Sequence, residues 1–216
     1  MTSTTAQHAF TWRRRTAVIA ALIATTAISA CGSSDDAADP SAVSTAADGS
    51  TFNTADVDFA TEMIAHHAQA VQMVVIAQGR ELDPAVAALM DEIRSAQVPE
   101  IETMADWLTA WDKPIPETSL DHSNAGDDMG DMSSDMGDMG DMPGMMSADQ
   151  MGALEDSTGE RFQTMWLEMM ISHHEGAIQM ADLEIENGIN ADAVALAQNI
   201  VTSQTVQVET MVSLLQ

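Results

Sequence analysis

Four of the six histidines in this 216-residue chain stand in adjacent pairs, His66-His67 and His173-His174, each inside the same eleven-residue box. The boxes run from Met63 to Met73 and from Met170 to Met180, and both read M-I-x-H-H-x-x-A-x-Q-M. Neutral imidazole ligates many transition metals, and thioether sulfur is a soft donor that selects Cu(I) and its relatives. Side chains share one helix face at i, i+3, i+4 and i+7. Met63, His66, Ala70 and Met73 meet that spacing, as do Met170, His173, Ala177 and Met180, and the alanines leave room for an ion. Methionine at helical spacing is also common core filler. The weight therefore rests on the doubled His-His pairs, because burying imidazole is unfavourable unless each ring finds a partner.

The 107-residue offset between the boxes continues without a gap, laying Ile93 on Ile200, Gln97 on Gln204, Glu102-Thr103-Met104 on Glu209-Thr210-Met211 and Leu108 on Leu215. Such an internal repeat indicates two copies of one supersecondary unit. A first helix opens at Asn53 or Thr54 and stops at Gly79, with Phe59, Met63, His67, Ala70, Val71 and Val74 on one face and His66 on its flank. Asp83-Pro84 starts a second helix, in which Pro99 predicts a kink or brief break. Ser157-Thr158-Gly159-Glu160 reads as a capping box for a third helix, and Asn190 caps a fourth. Gln72, Gln179, Glu102 and Glu209 fall off the apolar stripes and read as surface residues. No stretch alternates as a strand does. The expectation is an all-α bundle of four helices in two repeated hairpins, 54–116 and 157–216, forming one domain, with His67 and His174 converging near its middle.

The flanking stretches set the context. Arg13-Arg14-Arg15, an apolar run from Ala17 to Ile28 and Ile28-Ser29-Ala30-Cys31 resemble a lipoprotein signal, so residues 1–30 are expected to be removed and Cys31, the sole cysteine, lipidated. The alternative is an ordinary signal peptide with an incidental cysteine; Thr11-Trp12-Arg13-Arg14 is a weak twin-arginine signal. Either route exports the chain, and the first anchors it to a membrane from outside the cytoplasm. Residues 31–53 are small and polar and read as a flexible tether. Beyond the signal only Arg80, Arg94, Lys113 and Arg161 face 34 acidic residues, a balance that repels phosphate backbones and excludes nucleic acid as a partner. Residues 117–156 form a Met/Asp/Gly tract without helical period, a long disordered crossover between the hairpins. Seven methionines between Met129 and Met146 add nothing to a flexible linker. Met129, Met132, Met136, Met139 and Met142, with His122 nearby, suit a mobile accessory trap for Cu(I) or Ag(I); a compositionally biased spacer is the plainer reading.

The paired boxes resemble those of the secreted bacterial proteins of domain-of-unknown-function family 305, over about residues 54–111 and 157–215. The resemblance implies a ferritin-like four-helix bundle and, for some members, exported copper binding tied to copper tolerance. Carried onto this sequence it implicates Met63, His66, His67 and Met73 with Met170, His173, His174 and Met180, leaving open which histidine of each pair is the ligand. The expected function is an exported lipoprotein that binds copper as Cu(I), or Ag(I), for sequestration, tolerance or delivery. A copper-exchange partner or a second copy of the chain would be its protein partners. A ferritin-like di-iron oxidase is the enzymatic alternative; its site wants a Glu from two helices and Glu-x-x-His from the other two. Here Glu62 precedes His66 by four positions and its repeat mate is Met169. A non-metal envelope scaffold, its histidines bonded internally, is the third reading.

Overall fold

A computed structural model describes residues 42–118 and 142–216. The signal segment, Cys31, His122 and Met129, Met132, Met136 and Met139 lie outside the described residues. Among those described there are five helices and one minimal hairpin: β1 (Ser44–Thr45), β2 (Thr51–Phe52), α1 (Thr54–Ala77), α2 (Pro84–Ala110), α3 (Ala148–Asp156), α4 (Gly159–Asn187) and α5 (Ala191–Leu214). The chain is thus predominantly helical. α1 packs along α2, α4 along α5, and α1 lies against α4. The α1–α4 crossing is antiparallel. Asn53 Nδ2 donates to the Asn187 carbonyl at one end, and Trp166 Nε1 donates to the Met73 carbonyl at the other.

The helix starts follow from side chains that satisfy otherwise orphaned backbone N–H groups. Asn53 and Asp56 close a capping box on α1, and the Asp56 carboxylate also accepts from the N–H groups of Ile189 and Asn190 in the α4–α5 turn. Buried Glu184 lies beside it; burial first, then the Asp56 carboxylate, push its pKa up to about 9. Asp83 caps α2 with Pro84 in the first turn, and Asn190 caps α5. At the far end Arg80 binds the carbonyls of Ile76, Glu155 and Ser157 while its guanidinium sits 4.1 Å from the Phe162 ring centroid. That one side chain ties the exits of α1 and α3 to the start of α4.

Four sequence expectations are corrected. The tether expected over 31–53 is ordered from 42 onward: β1 pairs antiparallel with β2, and buried Phe52 stacks on Trp111 with centroids 4.8 Å apart. One large anchored ring outweighs the polar composition around it. Of the kink or break expected at Pro99, the break does not occur: α2 runs continuously from Pro84 to Ala110, with Pro99 and Ser95 both on its exposed side. The 117–156 linker contains α3, opened by a Ser147–Gln150 capping box and held by buried Met146, Met151 and Leu154. The Ser157–Glu160 capping box is absent: Ser157 ends α3, its hydroxyl donating to the Leu154 carbonyl. α4 starts after Thr158, which makes no side-chain cap.

Phe52→Ala is expected to remove about 3 kcal/mol of stability. Urea unfolding measures the loss, and hydrogen exchange should show the Ala46 and Gly49 amides losing protection while those of α1 keep theirs.

Candidate metal centre

The centre is built where α1 crosses α4. His66, His67, His173 and His174 are all fully buried, at 0 % exposure. The rings that meet across the crossing are His66 and His173, with centroids 3.8 Å apart and planes tilted by 40°. The sequence places His67 and His174 at that meeting point and His66 on the flank; instead the second histidine of each pair turns toward its own hairpin partner. His67 Nε2 donates to Glu100 Oε2 of α2 at 2.7 Å, and His174 Nε2 donates to Gln207 Oε1 of α5 at 2.9 Å. Gln207 in turn donates to Glu92 at 3.3 Å. Glu100 and Gln207 stand 33 residues after their respective histidines, so matching positions of the two hairpins carry a carboxylate in one and an amide in the other.

The layer is covered by a short strap. Met142, Pro143, Gly144 and Met145 form a turn closed by the Met145 N–H on the Met142 carbonyl, with Gly144 at φ +77°. Proline followed by a positive-φ glycine is the pattern of a type II turn. The Pro143 carbonyl accepts from His66 Nε2 at 3.0 Å. Gln69 grips the next residues with both ends of its amide, donating to the Met146 carbonyl at 2.8 Å and accepting from the Met146 N–H at 2.7 Å. Gly176 makes the approach feasible, since a Cβ there would overlap the Pro143 carbonyl. Gln69 and Gly176 occupy the same place in the two boxes. The copies therefore differ where one must hold the strap and the other must make room for it.

Hydrogen bonding in the layer is incomplete. Five ring nitrogens lack a well-aligned hydrogen bond: Nδ1 of His66, His67 and His174 and both nitrogens of His173, with backbone groups of Met170 and His66 beside His174 and His173. The amides of Gln97 and Gln204, buried repeat mates in α2 and α5, are also unpartnered. Each such group costs about 1–3 kcal/mol relative to a satisfied one. Burial, reinforced by neighbouring imidazoles, pushes the pKa of His66 down to about 3, that of His173 well below 6.5 and that of His174 to about 4. The rings of His66, His173 and His174 are therefore neutral at physiological pH, the protonation state that exposes a lone pair to a metal. Because the Nε2 atoms of His66 and His174 act as donors, the free lone pair of each lies on Nδ1.

The methionines of the boxes are buried, but not grouped box by box. Met73 and Met170 belong to one apolar cluster, with Met146, Met169 and Trp166; Met63 and Met180 belong to the other, with Ala177 and with Met142 packed against it. Ten residues of helix separate Met63 from Met73, about 15 Å, so their sulfurs share a face without sharing an ion. The antiparallel crossing regroups them instead. Among the described residues no three His, Cys, Asp or Glu side chains converge on a metal position. Glu100, Gln207, Gln69, Gly176 and Met146 escaped the sequence reading as site residues. The signals were the Gln69/Gly176 mismatch within the copied box and the Pro143-Gly144 turn.

The family model for DUF305, a domain of unknown function, matches residues 56–215. The chain belongs to the DUF305 family. Among solved structures it resembles a Streptomyces coelicolor DUF305 protein, named as a secreted protein, at 30 % identity and TM-score 0.61, covering 74 % of this chain and 91 % of the other. A Deinococcus radiodurans DUF305 fragment matches at 26 % identity and TM-score 0.61, over 76 % and 96 % of the two chains. CopM in its Cu(II)-bound form matches at 25 % identity and TM-score 0.57, over 74 % and 95 %. No curated protein matches the chain.

Depressed imidazole pKa values give a definite pH dependence. The unfolded histidines take up protons below about pH 6.5, whereas His66, His173 and His174 in the fold resist protonation until far lower. Stability is therefore full above pH 6.5 and falls as pH drops from there toward 4, because the unfolded state binds more protons. His173→Leu should flatten that slope by about one proton, roughly 1.4 kcal/mol per pH unit, read from urea midpoints between pH 4.5 and 6.5.

Proposed function

We propose that the chain is an exported copper-binding protein that holds Cu(I), with Ag(I) as a mimic, through the imidazole and thioether groups at the α1–α4 crossing. The observation that carries this reading is the set of fully buried imidazoles, five of whose ring nitrogens lack a well-aligned hydrogen bond. A plain scaffold would satisfy those nitrogens with protein hydrogen bonds, as it does the Nε2 atoms of His67 and His174. Methionine sulfurs buried on both sides of the layer favour a soft monovalent ion over a hard one. The relative CopM, seen with Cu(II) bound, lends support from the same family.

Within this proposal the two hairpins form a ferritin-like bundle, Cys31 carries a lipid anchor outside the cytoplasm, and the role is capture, retention or hand-on of copper. Met129, Met132, Met136 and Met139 would supply a first, weaker capture step. Among the described residues no helix is long and apolar enough to cross a membrane. The di-iron alternative needs clustered carboxylates; among the described residues no three His, Cys, Asp or Glu side chains converge on a metal position, and Glu100 bonds His67. We therefore assign a binding role rather than an oxidase role.

Competition titration of the mature protein with Cu(I) is expected to show tight binding that drops at least 100-fold in a His66→Leu/His173→Leu variant of retained helicity. Equal affinity in the two proteins would overturn the proposal.

A further inference from the structure

We infer that Asp56 and Glu184 form a one-proton latch: Glu184 in its acid form keeps closed the end of the bundle where α1 begins, and loss of its proton to alkaline solvent opens that end. The latch stands apart from the histidine layer, since ten residues of helix, about 15 Å, separate Asp56 from His66. It is independent of the copper-binding reading.

Asp56 is fully buried and Glu184 is 1 % exposed. The two carboxyl groups are neighbours, and among the described residues neither Glu184 oxygen has a well-aligned hydrogen bond. Two ionised carboxylates in contact away from water repel each other strongly, so such a pair keeps one proton. The backbone decides where it sits. The N–H groups of Asn53, Ile189 and Asn190 all donate to Asp56, which favours the ionised form there and leaves the proton to Glu184. The other charged side chains toward this end stay in water. Asp58 of α1, Asp182 and Glu186 of α4 and Asp192 of α5 are exposed acids, and exposed Lys113, after α2, lies 6.0 Å from the Phe52 ring centroid.

The internal repeat argues that the fold does not need this pair. At the 107-residue offset Gln163 answers Asp56, Asp83 answers Asn190 and Ala77 answers Glu184. Gln163 Oε1 accepts the Asp83 N–H at 2.8 Å, as Asp56 Oδ1 accepts the Asn190 N–H at 2.9 Å. A neutral amide and a methyl group thus stand at the opposite end where this end has two acids, and the same backbone contact is made. The acid end also reserves space. Gly188 has an ordinary φ of −70°, yet a Cβ there would overlap the Glu184 carboxyl. Glycine in that turn makes room for the acid; the backbone does not require it.

The latch closes a knot of polar contacts. Asn53 Nδ2 donates to the Asn187 carbonyl and Asn190 Nδ2 to the Thr51 carbonyl, so β2, the start of α1 and the α4–α5 turn are joined around Asp56. A second buried charge in this knot is relieved when the turn lifts and admits water. Burial, with Asp56 beside it, raises the Glu184 pKa from 4.5 to about 9. The closed state therefore keeps a proton that the opened or unfolded state gives up. Its contribution to stability is full below pH 4.5 and falls as pH rises toward 9. Unfolded histidines, with pKa about 6.5, are largely neutral above pH ~7.5, so the slope beyond that point belongs to Glu184.

The test uses the full mature chain as wild type and as Glu184→Gln, which keeps the shape without the charge. Carbon-13 NMR follows the Glu184 carboxyl, assigned through its own backbone amide. Hydrogen exchange at the Ile189 and Asn190 amides, corrected for intrinsic rates and referenced to the Asp83 amide at the opposite end, reads the opening. The expected result is a carboxyl carbon that titrates near pH 9. The opening constant at Ile189 and Asn190 should rise about tenfold per pH unit from pH ~7.5 to 9 in wild type and stay flat in Glu184→Gln. A carboxyl carbon that titrates between pH ~4 and 5, the ordinary glutamate range, overturns the latch. So does an opening constant at Ile189 and Asn190 that is flat in wild type or equally steep in both proteins. The wild-type titration and exchange slope decide the matter even where the variant is unstable.

Discussion

The structure depends on one unfavourable arrangement, four imidazoles taken out of water and packed together at a helix crossing. Apolar side chains at the same positions would need no partners. Imidazoles do, and the fold meets only part of that need: the Nε2 atoms of His66, His67 and His174 are engaged, while His173 has no well-aligned hydrogen bond at either nitrogen. Most buried polar groups in proteins are paired, so the concentration of poorly paired ones at this level is what supports the metal-binding proposal. The surrounding architecture keeps that level in register. Asp56 joins the start of α1 to the α4–α5 turn, Arg80 joins α1 and α3 to α4, and the Trp166 indole bridges α4 to α1 one layer away.

The two halves have diverged where function needs asymmetry. Position 69 grips the strap and position 176 yields to it. Position 100 offers His67 a carboxylate, whereas position 207 offers His174 an amide that leans on Glu92. Both partners engage the imidazole through Nε2 and turn it toward its own hairpin, which leaves His66 and His173 as the rings that meet across the crossing. The carboxylate makes its ring the more electron-rich of the two.

Much of the helical frame was legible in the sequence because its cues are local. Asn53, Asp83-Pro84 and Asn190 cap the helices they were expected to cap, and Val86, Leu89, Ile93, Met104 and Leu108 turn inward as their spacing requires. The matched boxes named the residues of the layer. Their partners were hidden, since periodicity says which residues share a face but not which face meets which. An antiparallel crossing pairs Met73 with Met170 and brings His66 rather than His67 to His173. The tract looked featureless because its composition is uniform, yet its last residues make a Pro-Gly turn and a capped helix whose order comes from contacts with α1 and α4. Ser157 was misread for a related reason: one hydroxyl can close the helix behind it or open the one ahead, and only the tertiary setting decides.

The central claim is that the unpartnered imidazole nitrogens of His66 and His173 are the donors a soft ion takes. Nitrogen-15 NMR of histidine-labelled mature protein, recorded before and after Ag(I) addition at neutral pH, addresses it directly. The account predicts large upfield shifts at Nδ1 of His66 and at one ring nitrogen of His173, with the Nε2 protons of His67 and His174 retained on their Glu100 and Gln207 partners. Ring resonances of all four histidines unmoved by the ion, or shifts confined to His67 and His174, would contradict it.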